Sequence, residues 1–134
     1  MRVLITDDHA VVRQGLKQFL CLVDDIEVAA EATNGAEALA RLAEGGIDLL
    51  LLDLSMPGLS GNELVSAIRR VHPALPILVL SMHAEPQIAQ GALAAGASGY
   101  LTKDHDPETL LDAMRAVAAG GTFIDPRLRD ALRP

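Results

Sequence analysis

Short aliphatic runs alternate with stretches of helical period along the whole chain. Val3–Thr6, Ile26–Ala30, Asp48–Leu52, Ile77–Leu80 and Ser98–Leu101 read as strands, several of them apolar throughout. Uniform apolarity is expected of strands in a parallel sheet covered on both faces. Between them, apolar residues fall on single helical stripes: Val12/Leu16/Phe19/Leu20, Ala36/Leu39/Ala40/Ala43, Leu64/Ala67/Ile68/Val71 and Leu110/Ala113/Met114/Val117. Pro86–Ala95 is helical by composition, but its stripe is made of small residues and should pack more loosely. Asn34 with Glu37, and Ser60 with Glu63, have capping-box spacing, and Asp106-Pro107 reads as an N-cap followed by the first helical residue. Strands alternating with helices over short loops predict a (βα)5 α/β domain, because right-handed crossovers cover both sheet faces. Gly120-Gly121 is the one compositional break. Beyond it Thr122–Pro134 holds a short helix candidate, Pro126–Leu132, and reads as the start of a linker.

Composition narrows the function. A chain of 134 residues, half of them hydrophobic, fits one domain with one core. No apolar run is long enough to span a bilayer, and the N-terminus lacks a signal-peptide pattern, so no membrane role is expected. The single cysteine, Cys21, excludes an internal disulfide framework, fits a reducing cytoplasm, and reads as a buried small hydrophobe. A net charge of −7 opposes binding to phosphate backbones, and three aromatic residues leave no platform for stacked bases.

The polar residues that break the pattern stand at the C-terminal ends of four predicted strands. Asp7 and Asp8 follow the first, Asp53 ends the third, Ser81 the fourth, and Lys103 comes just after the fifth. In an open parallel α/β sheet, ligands bind outside the carboxyl ends of the strands at a topological switch point. Three carboxylates converging there repel one another, so a cation must join them. Hard oxygens with no cysteine nearby suit Mg2+ (or Mn2+), which takes few protein ligands and keeps several waters. With the Lys103 ammonium and the Ser81 hydroxyl, the set suits phosphoryl transfer to a carboxylate.

These positions resemble the receiver domains of two-component response regulators, over residues 2–119. The motifs are Asp7-Asp8, the segment from Leu51 through Asp53 to Gly61, Ser81, and Gly96–Lys103. The resemblance implies a flavodoxin-like (βα)5 fold with strand order 2-1-3-4-5 and Asp53 as phosphoacceptor. It implies Mg2+ held by Asp8, Asp53 and the Ser55 carbonyl, with Asp7 acting through water. Ser81 would be the switch hydroxyl, Tyr100 the switch aromatic, and Lys103 the cation that pairs with the phosphoryl group. Ser55 and His83 stand where similar receivers tune dephosphorylation. Asp7-Asp8-His9, Gly99–Asp104 and the tail Gly120–Pro126 resemble the NarL/FixJ subfamily, which carries a LuxR-type helix-turn-helix. Asp104 departs from the wider pattern, which often has proline after the lysine. The partners implied are a sensor histidine kinase and a second copy on phosphorylation, with DNA reached only through a C-terminal domain absent from residues 1–134. The alternatives are a stand-alone receiver acting through protein contacts and an Asp-nucleophile phosphohydrolase. The latter usually carries an Asp-x-Asp pair and a substrate cap, whereas residue 55 is Ser. The chain would then be no enzyme, catalysing only its own phosphorylation and dephosphorylation.

Plainer readings stand beside these. Asp7-Asp8 could simply end a strand, Ser81 and Lys103 mean little one at a time, and Tyr100 could be core. Asp53 resists such a reading, because a carboxylate buried in an aliphatic run is costly without a cation. His9 reads as a helix-start residue and not as a zinc ligand, since no other histidine has ligand spacing. His83 reads equally as an exposed loop residue, and His72 and His105 as solvated turn residues. Gly91–Gly99 matches no phosphate-cradling loop.

Overall fold

Asp53 lies on a central strand of a six-stranded parallel sheet, and the surrounding topology explains how its neighbours reach it. The computed structural model describes residues 1–54 and 61–131. In chain order the elements are β1 (Arg2–Thr6), α1 (Ala10–Leu20), β2 (Glu27–Ala32), α2 (Gly35–Ala43), β3 (Leu49–Asp53) and α3 (Gly61–Val71). They continue with β4 (Ile77–Ser81), α4 (Pro86–Ala95), β5 (Gly99–Thr102), α5 (Pro107–Ala118) and β6 (Phe123–Ile124). The sheet order is β2-β1-β3-β4-β5-β6, with every pair parallel. The chain therefore reverses its winding between β1 and β3.

The strand period of two sorts the aliphatic runs between two cores. Leu49 and Leu51 pack with Val3, Ile5, Leu78, Leu80 and Leu101 against Leu20 of α1 and Leu110, Ala113, Met114 and Val117 of α5. Leu50 and Leu52 pack with Leu4, Ile77, Val79 and Tyr100 against α2, α3 and α4 on the other face. All five residues of β3 and of β4 are buried, as uniformly apolar strands require. No helix among the described residues is long and apolar enough to cross a membrane.

The predicted helix starts hold where they can be compared. Asn34 accepts from the Glu37 N–H at 2.9 Å, and Asp106 from the Thr109 N–H at 2.7 Å. The Glu37 carboxylate turns back one residue further than a capping box requires, accepting from the Thr33 N–H at 2.6 Å. Ser60 lies outside the described residues.

Five expectations are corrected. The sheet has six strands and not five, because Phe123–Ile124 adds to the β5 edge. Residues 126–131 form turns where a helix was expected, with Leu128 buried. In α2 the buried positions are Gly35, Ala38 and Leu42; alanines occur on every side of this helix, so they did not mark its inner face. Val71, at the end of α3, is exposed. Cys21 is exposed too, one residue beyond α1 and turned away from buried Leu20. The Lys103–Asp104 peptide, which the sequence left open, is trans.

Candidate functional site: an acidic pocket at the β1/β3 switch point

Strand register brings the polar residues together. Thr6 pairs with Leu52, so Asp7 leaves β1 beside Asp53, the last residue of β3. Ser81 ends β4 and pairs with Thr102 of β5, and the Lys103 N–H donates to the Ser81 carbonyl at 2.8 Å. The Lys103 ammonium reaches back across the sheet end, 2.7 Å from Asp7 Oδ2 and 3.4 Å from Asp53 Oδ2. Asp7 and Asp53 are both nearly enclosed, at 3% and 2% exposure, whereas Asp8 faces solvent.

Buried carboxylates on this scale need compensation. Burial pushes the Asp7 carboxyl up, but the Lys103 ammonium and the His9 backbone N–H outweigh it and hold the group below its ordinary value. That N–H reaches Asp7 Oδ1 at 2.8 Å and fixes the turn from β1 into α1. The Arg13 guanidinium donates to the Asp7 carbonyl at 2.7 Å, adding positive charge from the first turn of α1.

Asp7, Asp8, His9 and Asp53 each offer one ligand atom, and these atoms lie within 4.8 Å of one another. Three carboxylates in that space suit a hard divalent cation such as Mg2+. The donor set therefore fits the ion expected from the sequence. Ser55, the remaining expected ligand, lies outside the described residues.

Ser81 and Tyr100 are both fully buried, and both hold the same loop residue. Ser81 Oγ accepts from the His83 N–H at 3.1 Å, and the Tyr100 hydroxyl donates to the His83 carbonyl at 2.7 Å. Burial raises the Tyr100 phenol above its ordinary value, with the Ser81 hydroxyl acting against the shift. The His83 ring is exposed, 3.6 Å from Glu85.

Three features escaped the sequence reading. His9 is the N-cap residue of α1, as expected, but its side chain caps nothing and turns to the carboxylates. His105 is no solvated turn residue, because its Nε2 lies 2.8 Å from the wholly buried Asp125 carboxylate. Asp125 also accepts from the Thr102 N–H at 3.1 Å, the Thr102 hydroxyl at 2.9 Å and the Arg127 N–H at 2.9 Å, fastening the tail beside Lys103. Only the run Phe123-Ile124-Asp125-Pro126 signalled this latch, as an apolar pair before a turn.

Comparison with known proteins agrees with the geometry. Residues 3–115 match the family model of the response regulator receiver domain. The transcriptional regulatory protein UhpA of Salmonella typhimurium is 41% identical over 124 residues, which cover 92% of this chain and 62% of that protein. The nitrate/nitrite response regulator protein NarP of Escherichia coli is 41% identical over 132 residues, covering 98% of this chain and 61% of its own length. The chain thus spans about three fifths of these curated relatives. The crystal structure of a two-component response regulator of the LuxR family from Aurantimonas sp. SI85-9A1 superimposes with a TM-score of 0.91 at 36% identity, over 96% of this chain and 92% of that one. The isolated REC domain of RcsB from Salmonella enterica serovar Typhimurium, determined with the phosphomimetic BeF3-, gives 0.89 at 30% identity over 99% of each chain. The chain belongs to the response regulator receiver family, among regulators of the NarL/LuxR kind.

Proposed function

We propose that this domain accepts a phosphoryl group from a sensor histidine kinase onto Asp53, with Mg2+, and that the modification changes its surface to control transcription. The observation that carries the reading is a carboxylate 2% exposed at the end of β3, with Asp7 beside it and the Lys103 ammonium 3.4 Å away. In the transfer, a carboxylate oxygen of Asp53 forms the new P–O bond as the P–N bond to the donor imidazole breaks. The leaving nitrogen takes a proton from solvent. Asp8 and Asp53 would hold Mg2+ directly, Asp7 through a water and Ser55 through its carbonyl. When bound, the ion balances charge on the phosphoryl oxygens. Lys103 pairs with one of those oxygens and Ser81 donates its hydroxyl to another.

Transfer and response are linked through His83. A Ser81 hydroxyl turned toward the phosphoryl group gives up the His83 N–H, which loosens the loop that also anchors Tyr100. Tyr100 is the second switch residue, and Ser55 and the exposed His83 ring tune loss of the phosphoryl group. The domain acts in the cytoplasm, as a homodimer once phosphorylated. It reaches DNA through a helix-turn-helix domain beyond this chain. Residues 2–119 carry the receiver's site, and the tail from 120, docked on the sheet edge by Phe123–Ile124 and buried Leu128, leads on toward that domain. Its only catalysis is its own phosphorylation and dephosphorylation.

Mass spectrometry after treatment with acetyl phosphate and Mg2+ tests site, ion and chemistry together. The wild type should gain one phosphoryl group and Asp53→Asn none. Equal labelling of the two proteins would sink the assignment.

A further inference from the structure

The sequence treats His9 as the start of a helix, and the structure gives its ring another task. His9 has the extended backbone of an N-cap, φ −94° and ψ 108°, yet makes no side-chain capping bond. Its Nδ1 stands 3.1 Å from Asp7 Oδ1, 3.2 Å from Asp8 Oδ1 and 4.0 Å from Asp53 Oδ2. The backbone bond from the His9 N–H to Asp7 Oδ1 holds the residue at that spot. With metal–ligand bonds of about 2.1 Å, adjacent corners of an octahedron lie about 3.0 Å apart and opposite corners about 4.2 Å. Nδ1 therefore stands from the Asp8 oxygen as an adjacent ligand would, and from the Asp53 oxygen as an opposite one would.

We propose that His9 Nδ1 is a protein ligand of this site and biases it toward divalent transition ions that accept imidazole, Co2+ and Zn2+ among them, over Mg2+. The inference rests on the metal-binding reading above and adds the identity of the preferred ion. Carboxylates alone separate these ions weakly. A neutral imidazole suits first-row transition ions far better than Mg2+, and their affinities rise along the row. The ring is 60% exposed, so an ion can approach it without the core opening. On binding, the ring carries its proton on Nε2 and offers the Nδ1 lone pair, so the proton that Nδ1 would donate to the Asp7 carboxylate is given up to Nε2 or to solvent. In the free protein the same nitrogen lies within hydrogen-bond reach of Asp7 Oδ1. A transition ion at the site competes with Mg2+ and so sets how much of the protein is ready for phosphoryl transfer.

Isothermal titration of the chain with Mg2+ alone and with Co2+ alone tests the proposal, using wild type, His9→Ala and Asp53→Asn. His9→Ala removes an exposed ring that caps nothing, so its circular dichroism and melting curve should match the wild type. It should lose about tenfold or more in Co2+ affinity while its Mg2+ affinity stays within about twofold. Pulsed electron paramagnetic resonance of the Mn2+-loaded protein should show nitrogen coupling in the wild type and none in His9→Ala. A Co2+-to-Mg2+ affinity ratio unchanged by His9→Ala, or a Mn2+ spectrum without nitrogen, overturns the role of His9 and leaves the acidic site standing. Binding of neither ion by the wild type, or full binding by Asp53→Asn, overturns the site itself and the proposal with it.

Discussion

Single residues show how much charge this small site concentrates. Asp8 faces solvent beside two enclosed carboxylates, so it adds repulsion and a ligand at once. Asp8→Ala should leave the metal-free protein as stable as the wild type or up to about 1 kcal/mol more stable. It should also abolish the rise in melting temperature with Mg2+, about 2.7 kcal/mol for the wild type at a hundred times Kd. Thermal melts with and without millimolar Mg2+ check both halves, and a wild type unmoved by Mg2+ counts against the site. Asp125 is the other buried acid that decides something. Burial works to raise its carboxyl, but the Arg127 and Thr102 backbone N–H groups and the Thr102 hydroxyl prevail and bring it to about 2. A depressed folded value means stability that is complete above the unfolded value near 4 and drains away as pH falls toward 2. The loss amounts to about 2 kcal/mol. Urea melts between pH 5 and 3 should show wild-type stability falling more steeply than that of Asp125→Asn, and parallel curves would remove Asp125 from the balance.

Among the elements, what the sequence made legible follows from side-chain chemistry. Aliphatic runs marked β3 and β4 because both faces of those strands are buried, and the α5 stripe was right because Leu110, Met114 and Val117 are large. The α2 stripe was misplaced because alanine shows little preference for either face. Asp7, Asp8, Asp53, Ser81 and Lys103 could be singled out because each follows or ends a predicted strand. His9 and the Asp125 latch could not, because a ring's direction and a two-residue strand leave no periodic trace. The docking of β6 rests on Gly99. A Cβ there would sit 2.7 Å from the Phe123 carbonyl oxygen, 3.0 Å from Leu78 Cδ1 and 3.1 Å from Val117 Cγ1. Gly99→Ala should cost about 1–3 kcal/mol and push β6 off β5. Hydrogen exchange at the Asp125 N–H, which donates to the Tyr100 carbonyl at 2.8 Å, should then quicken before the rest of the sheet. Unchanged protection there would mean that β6 is held by its turn alone. Arg69 ties two other elements, donating from α3 to the Gly96 carbonyl at the end of α4 at 2.9 and 2.8 Å and to the His72 and Pro73 carbonyls.

Across the whole molecule, α4 is a helix held to the core through small side chains. It buries only Ala89 and Ala92 completely, and the loop before it hangs on the two bonds to His83. A phosphoryl mimic on wild type should weaken amide protection over residues 82–101 and shift sedimentation toward a dimer. Ser81→Ala should still be labelled on Asp53, yet respond more weakly in both measurements. Identical protection with and without the mimic, together with an unchanged monomer mass, would refute the switch in residues 1–134. The contact between Lys103 and Asp7 has a further consequence, because 96 positions of chain separate the two residues. Contacts that distant form late, since the intervening loop must close before they bring any gain. Asp53 has its lysine only after β1, β3, β4 and β5 are all in register. On the proposed function, a chain with native helices and a slipped sheet edge would look folded by circular dichroism yet label poorly. The fraction of wild-type protein that acetyl phosphate labels can therefore, on that reading, be no larger than the fraction correctly assembled, whatever the rate at which the label is lost.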